Sequence, residues 1–312
     1  MKILVTGGCG YVGTILITKL LERKHKVTSL DTKWFGDYLP RHKNLQNIKK
    51  NILNINEKDL KNVDIIIHLA SIANDPMSLL DKNFSWEVSC LGTYNLMRYA
   101  VKSKVKKVIY ASSSSVYGIK REKKVSEDLL LKPISLYNKA KMITEKVIES
   151  FKDKIDYVII RPATVCGFSP RMRFDVTVNA LTLSALLNSK ILVNGGKQIR
   201  PNIHIEDMVD LYLFLIDNKK IKNQTFNAGF ENLSINNIAK LVAKKTKAKI
   251  FKNKNFDPRS YRVDSSKLLK TGFKPKKNIS NAIDELILKF NEKSLKVEPN
   301  FFSVKWLKKI IK

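Results

Sequence analysis

Residues 2–13 read KILVTGGCGYVG, a short apolar run that breaks into glycines at 7, 8, 10 and 13. Lys2 to Thr6 has the continuous apolar character of a strand buried on both faces of a parallel sheet. Gly7 and Gly10 let the backbone turn tightly and approach a pyrophosphate. Gly13 lets the following helix pack closely on the sheet, with the helix N-terminus facing the phosphates. The pattern predicts a helix over Thr14 to Arg23 and a second strand over Lys26 to Leu30 (KVTSL), ending in Asp31. Asp31 stands 18 residues after Gly13 and can accept from both ribose hydroxyls, which favours NAD over NADP. A glycine triplet alone is a weak signal. The order strand, glycine turn, helix, strand, acid makes it a dinucleotide site.

Working outward, further strands are expected at Asp64 to Leu69 (DIIIHL), Lys107 to Ala111 (KVIYA) and Asp156 to Arg161 (DYVIIR). Helical stretches fall near Leu91 to Lys102 and Tyr137 to Phe151. This alternation predicts an α/β fold, a Rossmann-type doubly wound parallel sheet with ligands at the carboxyl ends of its strands. A smaller α/β C-terminal substrate domain is expected beside it. His68, inside an apolar strand, reads as structural before catalytic.

At 312 residues with 44% apolar content the chain can bury a full core, and global disorder is excluded. No window reaches the roughly 18 to 20 uninterrupted apolar residues of a membrane span. The N-terminus lacks the shape of a signal peptide, so a cytoplasmic location is expected. Cys9, Cys90 and Cys166 are scattered and odd in number, which supports neither a disulfide framework nor a metal site. The net charge of +30 raises the question of a nucleic-acid partner. Only 10 of the 58 basic residues are Arg, whereas base readout and phosphate forks favour Arg. The lysines are spread along the chain, as expected of solvated faces, and their field attracts small anions.

Two stretches carry the chemistry. ASSSSVYG, residues 111–118, ends the predicted strand at Lys107 to Ala111, and YNKAK spans 137–141. A Tyr and a Lys four apart share one helix face. A nearby ammonium stabilises phenolate, so Lys141 is expected to lower the Tyr137 pKa and also to hold the nicotinamide ribose. Tyr137 then removes a substrate hydroxyl proton while hydride leaves the same carbon. A serine at the end of the preceding strand suits the third role, a hydrogen bond to that oxygen.

The glycine turn, Asp31, HLAS (His68 to Ser71), SSSSVYG, YNKAK and RPATVCG (Arg161 to Gly167) occur in the order found in the extended short-chain dehydrogenases/reductases. Over about residues 1–285 the chain resembles that family, specifically the NAD-dependent nucleotide-sugar epimerases and dehydratases. Counting back from Val116-Tyr117-Gly118, the resemblance puts the catalytic serine at Ser113, with Tyr137 and Lys141. It implies NAD contacts at Gly7, Gly10, Tyr11, Val12, Asp31, Asn51, Ile52, Leu69, Ala70, Tyr137 and Lys141. For the substrate it implies Ser113, with Asn179, Arg200 and Arg259 clamping the nucleotide diphosphate. Sugar 4,6-dehydratases carry Asp-Glu where this chain has Ser114 and Ser115, and a 3,5-epimerase/reductase carries Cys at 115. What remains is oxidation at one sugar carbon, normally C4. Ser89, Thr164 and Cys166 depart from the family pattern and bear on single cofactor contacts.

The resemblance divides the chain into an NAD-binding domain, 1–167 with 205–228 returning to it, and a nucleotide-sugar domain, 168–204 with 229–312. It also implies a homodimer through the helices near 91–102 and 137–151. SPRMRFD (169–175) and ANDP (73–76) narrow the likeness to enzymes of bacterial capsule heptose modification. The implied substrate is GDP-D-glycero-α-D-manno-heptose, oxidised to its 4-keto form. A 4-epimerase using the same three residues, and a non-catalytic dinucleotide sensor, stay in view as alternatives. The basic, apolar tail FFSVKWLKKIIK (301–312) is expected to pack on the body of the protein more than on a membrane surface.

Overall fold

The computed structural model describes residues 1–253 and 260–311. The first six strands are β1 (Lys2–Thr6), β2 (Lys26–Asp31), β3 (Leu45–Lys49), β4 (Ile65–His68), β5 (Lys107–Ala111) and β6 (Asp156–Pro162). Three short strands follow, β7 (Thr164–Cys166), β8 (Lys190–Asn194) and β9 (Ile199–His204), before β10 (Gln224–Ala228) returns to the main sheet. The main sheet is parallel in every pairing, with order β3-β2-β1-β4-β5-β6-β10. From β1 the chain builds outward to β3, then crosses back to start β4 on the other side. The crevice at this reversal is where such sheets bind ligands.

The helices in chain order are α1 (Tyr11–Glu22), α2 (Asp75–Ser78), α3 (Lys82–Trp86), α4 (Gly92–Lys102), α5 (Leu136–Glu149) and α6 (Thr177–Asn188). Then come α7 (Ile205–Asp217), α8 (Ile235–Thr246), α9 (Ser266–Leu269), α10 (Ile279–Asn291) and α11 (Ser303–Ile310). The apolar strands alternate their side chains between two cores. Ile3, Val5, Ile67, Ile109 and Val158 face α1 and α7, against Leu16, Leu20, Leu211 and Leu215. Leu4, Ile66, Val108 and Ile159 face α4 and α5, against Leu96, Met97 and Ile148.

The structure corrects the start of the first helix and adds two strands to the main sheet. The first helix begins at Tyr11 rather than Thr14, so Gly13 lies inside its first turn. A Cβ there would stand 2.6 Å from the carbonyl oxygens of Gly7 and Gly8, which explains both the glycine and the tight entry. Strands β3 (LQNIK) and β10 (QTFNA) were not anticipated, because edge strands bury one flank only and read as polar.

The second half holds two small sheets, β11 (Glu231–Ser234) with β9 and β7, and β12 (Lys249–Asn253) with β8. Val178 and Leu181 of α6, Ile238 and Val242 of α8, and Ala282 and Ile283 of α10 form its core. The C-terminal segment joins this unit to the first half, with Phe301 buried beside Phe174, Leu183 and Leu286. Leu307 of α11 is fully buried in the core under α4, and Trp306 Nε1 donates to the Trp34 carbonyl at 2.6 Å. Residues 299–310 thus pack on both halves, Trp306 and Leu307 on the first and Phe301 and Phe302 on Phe174 of the second, as expected of a tail that covers its own body.

Candidate active site

A cleft of about 650 Å³ opens at the carboxyl ends of β1, β4 and β5. Its size is in the usual range of ligand pockets. At one end lies the glycine turn. Gly7 has φ +73°, and a Cβ on it would sit 2.7 Å from the Ala70 amide nitrogen. What demands glycine at position 7 is therefore this left-handed turn against Leu69 and Ala70. Gly10 has an ordinary φ of −78° and caps α1 with backbone only. Within 4 Å a Cβ on it would meet only the Gly7 carbonyl oxygen, so a side chain would intrude on the cleft that Gly10 lines.

Asp31 is held at the mouth of this turn. Its carboxylate accepts from the backbone amides of Cys9 at 3.0 Å and Lys33 at 2.7 Å. Burial pushes its pKa up, and these two donors pull it back. Asn51 accepts from the Leu53 amide at 3.0 Å and so fixes the turn carrying Ile52 into the cleft wall. Val12, Leu69 and Ala70 line the same wall. Tyr11 does so too, but its hydroxyl donates to the Gly167 carbonyl at 2.6 Å, leaving its backbone as the part open to a ligand.

At the other end stand Ser113, Tyr137 and Lys141. The four serines divide by burial. Ser112 and Ser114 are buried, the first bonded to the Glu145 carboxylate and the second 3.4 Å from the Tyr261 hydroxyl. Ser113 and Ser115 are half-buried, with hydroxyls 2.7 Å apart, and Ser115 donates to Asn138 Oδ1 at 2.6 Å. Ser113 also caps the short turn Ser114–Tyr117. Lys141 Nζ donates to the Ala111 carbonyl at 2.7 Å and lies 5.9 Å from the centre of the Tyr137 ring. Burial pulls its pKa down to about 7, against an upward pull from Glu145. Burial pushes the Tyr137 phenol up to about 12, with the Ser113 hydroxyl opposing. The expectation that Lys141 lowers the Tyr137 pKa is thus not met by these side chains alone, because desolvation outweighs every charge around the phenol.

The expected substrate residues fare unequally. Arg200 lines the cleft. Arg259 lies outside the described residues. Asn179 does not reach the cleft. It is fully buried, accepts from the Gly167 amide at 3.1 Å and donates to the Tyr11 hydroxyl at 3.0 Å and the Arg173 carbonyl at 3.0 Å. Its amide is used up in fastening α6 to the loop after β7, which corrects its assignment to a diphosphate. His68 bridges Thr6 Oγ1 at 2.6 Å and Thr93 Oγ1 at 2.9 Å, and burial lowers its pKa to about 3, so it is a neutral structural residue. His204 caps α7 by accepting from the Glu206 amide.

Residues with no role assigned from sequence also face the cleft, among them Phe35, Arg171, Arg173, Asp175 and Ser303. Arg173 makes a two-pronged ion pair with Asp175, whose other donor is Asn74 Nδ2 at 2.8 Å. Two arginines in SPRMRFD, within a lysine-dominated chain, were the available signal, since buried or forked ion pairs favour Arg.

The residues present fit a bound dinucleotide. Helix α1 carries no side-chain cap, its first turn lines the cleft, and Asp31 and Lys141 mark the two ends. A family profile described as NAD dependent epimerase/dehydratase matches residues 3–229. A putative UDP-glucose 4-epimerase of Methanocaldococcus jannaschii is 27% identical over 91% of this chain and 97% of its own length. GDP-6-deoxy-D-talose 4-dehydrogenase of Aggregatibacter actinomycetemcomitans is 30% identical over 73% of this chain and 74% of its own. The crystal structure of UDP-glucuronic acid 4-epimerase from Bacillus cereus, with UDP-glucuronic acid and NAD, superposes with a TM-score of 0.83. It is 28% identical, over 94% of this chain and all of that one.

Proposed function

The chain belongs to the NAD-dependent epimerase/dehydratase family, whose members work on nucleotide sugars, and we propose that it oxidises such a sugar at C4 and releases the 4-keto product. The observation that carries this reading is the convergence of Ser113, Tyr137 and Lys141 at one end of the cleft, with only serines at 114 and 115. Tyr137 takes the proton of the C4 hydroxyl as general base. Ser113 hydrogen-bonds the same oxygen as it becomes a carbonyl, and Lys141 supplies a donor for the ribose. The cleft residues Asp31 and Lys141 would hold NAD, which would supply a hydride acceptor and a positive charge favouring the phenolate. Serines at 114 and 115 have no ready proton to give or take, so elimination of water after oxidation is disfavoured.

The proposed substrate is a GDP-linked heptose. Supporting it are the SPRMRFD and ANDP stretches and the likeness to a dehydrogenase named for a GDP sugar and for C4. Arg200 in the cleft wall is the proposed diphosphate partner. A 4-epimerase is the second reading, favoured by likeness to the putative UDP-glucose 4-epimerase across 91% of the chain. It needs the hydride returned to the opposite face.

The fate of the hydride separates the two. Purified enzyme given sugar nucleotide alone is expected to stop after about one turnover, with a product two mass units lighter, and to restart on addition of NAD or a 2-oxo acid. Tyr137→Phe should slow this by about 10² to 10⁴-fold while binding NAD as before. Sustained conversion to an isomer of unchanged mass, with nothing added, overturns the oxidation reading in favour of epimerisation.

A further inference from the structure

The cleft wall contains a cation without a counter-ion. Arg171 is 3% exposed, and among the described residues no carboxylate oxygen lies within 4.0 Å of its guanidinium. Its Nη2 donates to Ser303 Oγ at 3.1 Å, its Nε has no partner, and its Cζ stands 4.5 Å from the centre of the Phe35 ring. A buried charge is costly to leave unpaired, so this guanidinium is suited to an anion from outside the chain. Its surroundings say which anion. The loop bearing Arg171 is docked on the first turn of α1, where Ser169 Oγ donates to the Tyr11 carbonyl at 2.8 Å and Tyr11 donates back to Gly167. Phe35 follows Asp31 in the loop after β2 and packs its ring under the Arg171 guanidinium. Arg171 is therefore tied through its loop to the first turn of α1 and through its side chain to the loop that follows Asp31.

We propose that Arg171 binds the diphosphate of the dinucleotide, and that the C-terminal segment 299–310 holds it there and closes the adenosine end of the cleft. The segment grips both sides of the site. Ser303 holds Arg171, Asn300 Nδ2 donates to the Phe35 carbonyl at 2.8 Å, and Trp306 Nε1 donates to the Trp34 carbonyl. Ser303 and Val304 line the cleft themselves. A guanidinium fork matches phosphate oxygens, and the open amides of α1 face the same charge. The inference needs only a cofactor site here, not C4 chemistry, so it stands or falls apart from the proposed reaction.

Calorimetry on enzyme stripped of cofactor tests it, with NAD, ADP-ribose and adenosine as probes. Arg171→Met is expected to weaken NAD and ADP-ribose by about ten- to a hundredfold, the scale of a lost charge-assisted hydrogen bond, and to leave adenosine unchanged. Arg171→Lys, which keeps charge but loses the fork, should fall between. Ser303→Ala should weaken ADP-ribose by a smaller factor and serves as the test if Arg171→Met does not fold. Trp306→Ala should speed NAD release followed by protein fluorescence. Unchanged ADP-ribose affinity in the Arg171 and Ser303 variants, or an equal loss for adenosine and ADP-ribose, overturns the diphosphate role. An unchanged release rate in Trp306→Ala overturns the closing role.

Discussion

Lys141 illustrates how a single site residue trades stability for chemistry. It is buried, with its amine on the Ala111 carbonyl, and its pKa falls from 10.5 to about 7 because burial penalises the ammonium. Between those two values the unfolded chain binds the proton and the folded chain does not. Stability of the cofactor-free enzyme therefore rises with pH across about 7 to 10.5, and the full penalty applies below that window. Lys141→Met removes it. The variant is expected to be inactive yet more stable by on the order of 2–5 kcal/mol near pH 6, with the gain shrinking toward pH 10. Thermal melts of both proteins from pH 6 to 10 check this; a gain independent of pH would point to packing instead. The Tyr137–Lys141 pair itself was legible from its spacing of four. Its electrostatics were not, because desolvation depends on everything that covers the helix.

At the scale of elements, α5 is a bracket. Tyr137, Lys141 and Glu145 recur every four residues and so share one face. The last of them is fully buried and makes a two-pronged pair with Arg161 of β6 while accepting from Ser112 at the end of β5. Arg161 also donates to the Tyr117 hydroxyl at 2.8 Å, which donates to Asn227 of β10. The serine run, the Tyr137 helix and two strands are thus tied by one buried ion pair. Glu145→Gln strands the Arg161 charge and is expected to cost about 3–5 kcal/mol in urea unfolding. The double variant with Arg161→Met should recover part of that loss. A loss of under about 1 kcal/mol would mean the pair is solvated. RPATVCG contributes to the family resemblance but names no partner for its arginine, since nothing in a linear spacing joins 145 to 161.

At the scale of the molecule, Leu91, Tyr94 and Ile143 are exposed on and beside α4 and α5, on the outer side of the helices that pack the sheet. This is the face through which the proposed homodimer forms, pairing two helices from each subunit. Light scattering at micromolar concentration is expected to give about twice the mass of one chain, and Tyr94→Glu with Ile143→Glu to halve it. A fully active monomer would remove the proposal.

The chain's own order determined the parallel sheet, the dinucleotide turn, Asp31 and the Ser113, Tyr137 and Lys141 set. The turn, Asp31 and the Tyr137–Lys141 pair depend on residues near one another in sequence, where backbone geometry ties spacing to placement, while the choice of Ser113 among four serines followed from the family resemblance. The tertiary structure alone decided that Asn179 is spent inside the fold, that Arg171 in the cleft wall has no carboxylate partner among the described residues, and that residues 299–310 return to cover a site begun at residue 7. Those outcomes depend on which distant groups become neighbours after folding. Burial and hydrogen-bond satisfaction are properties of that assembled neighbourhood, so no local pattern of residues encodes them.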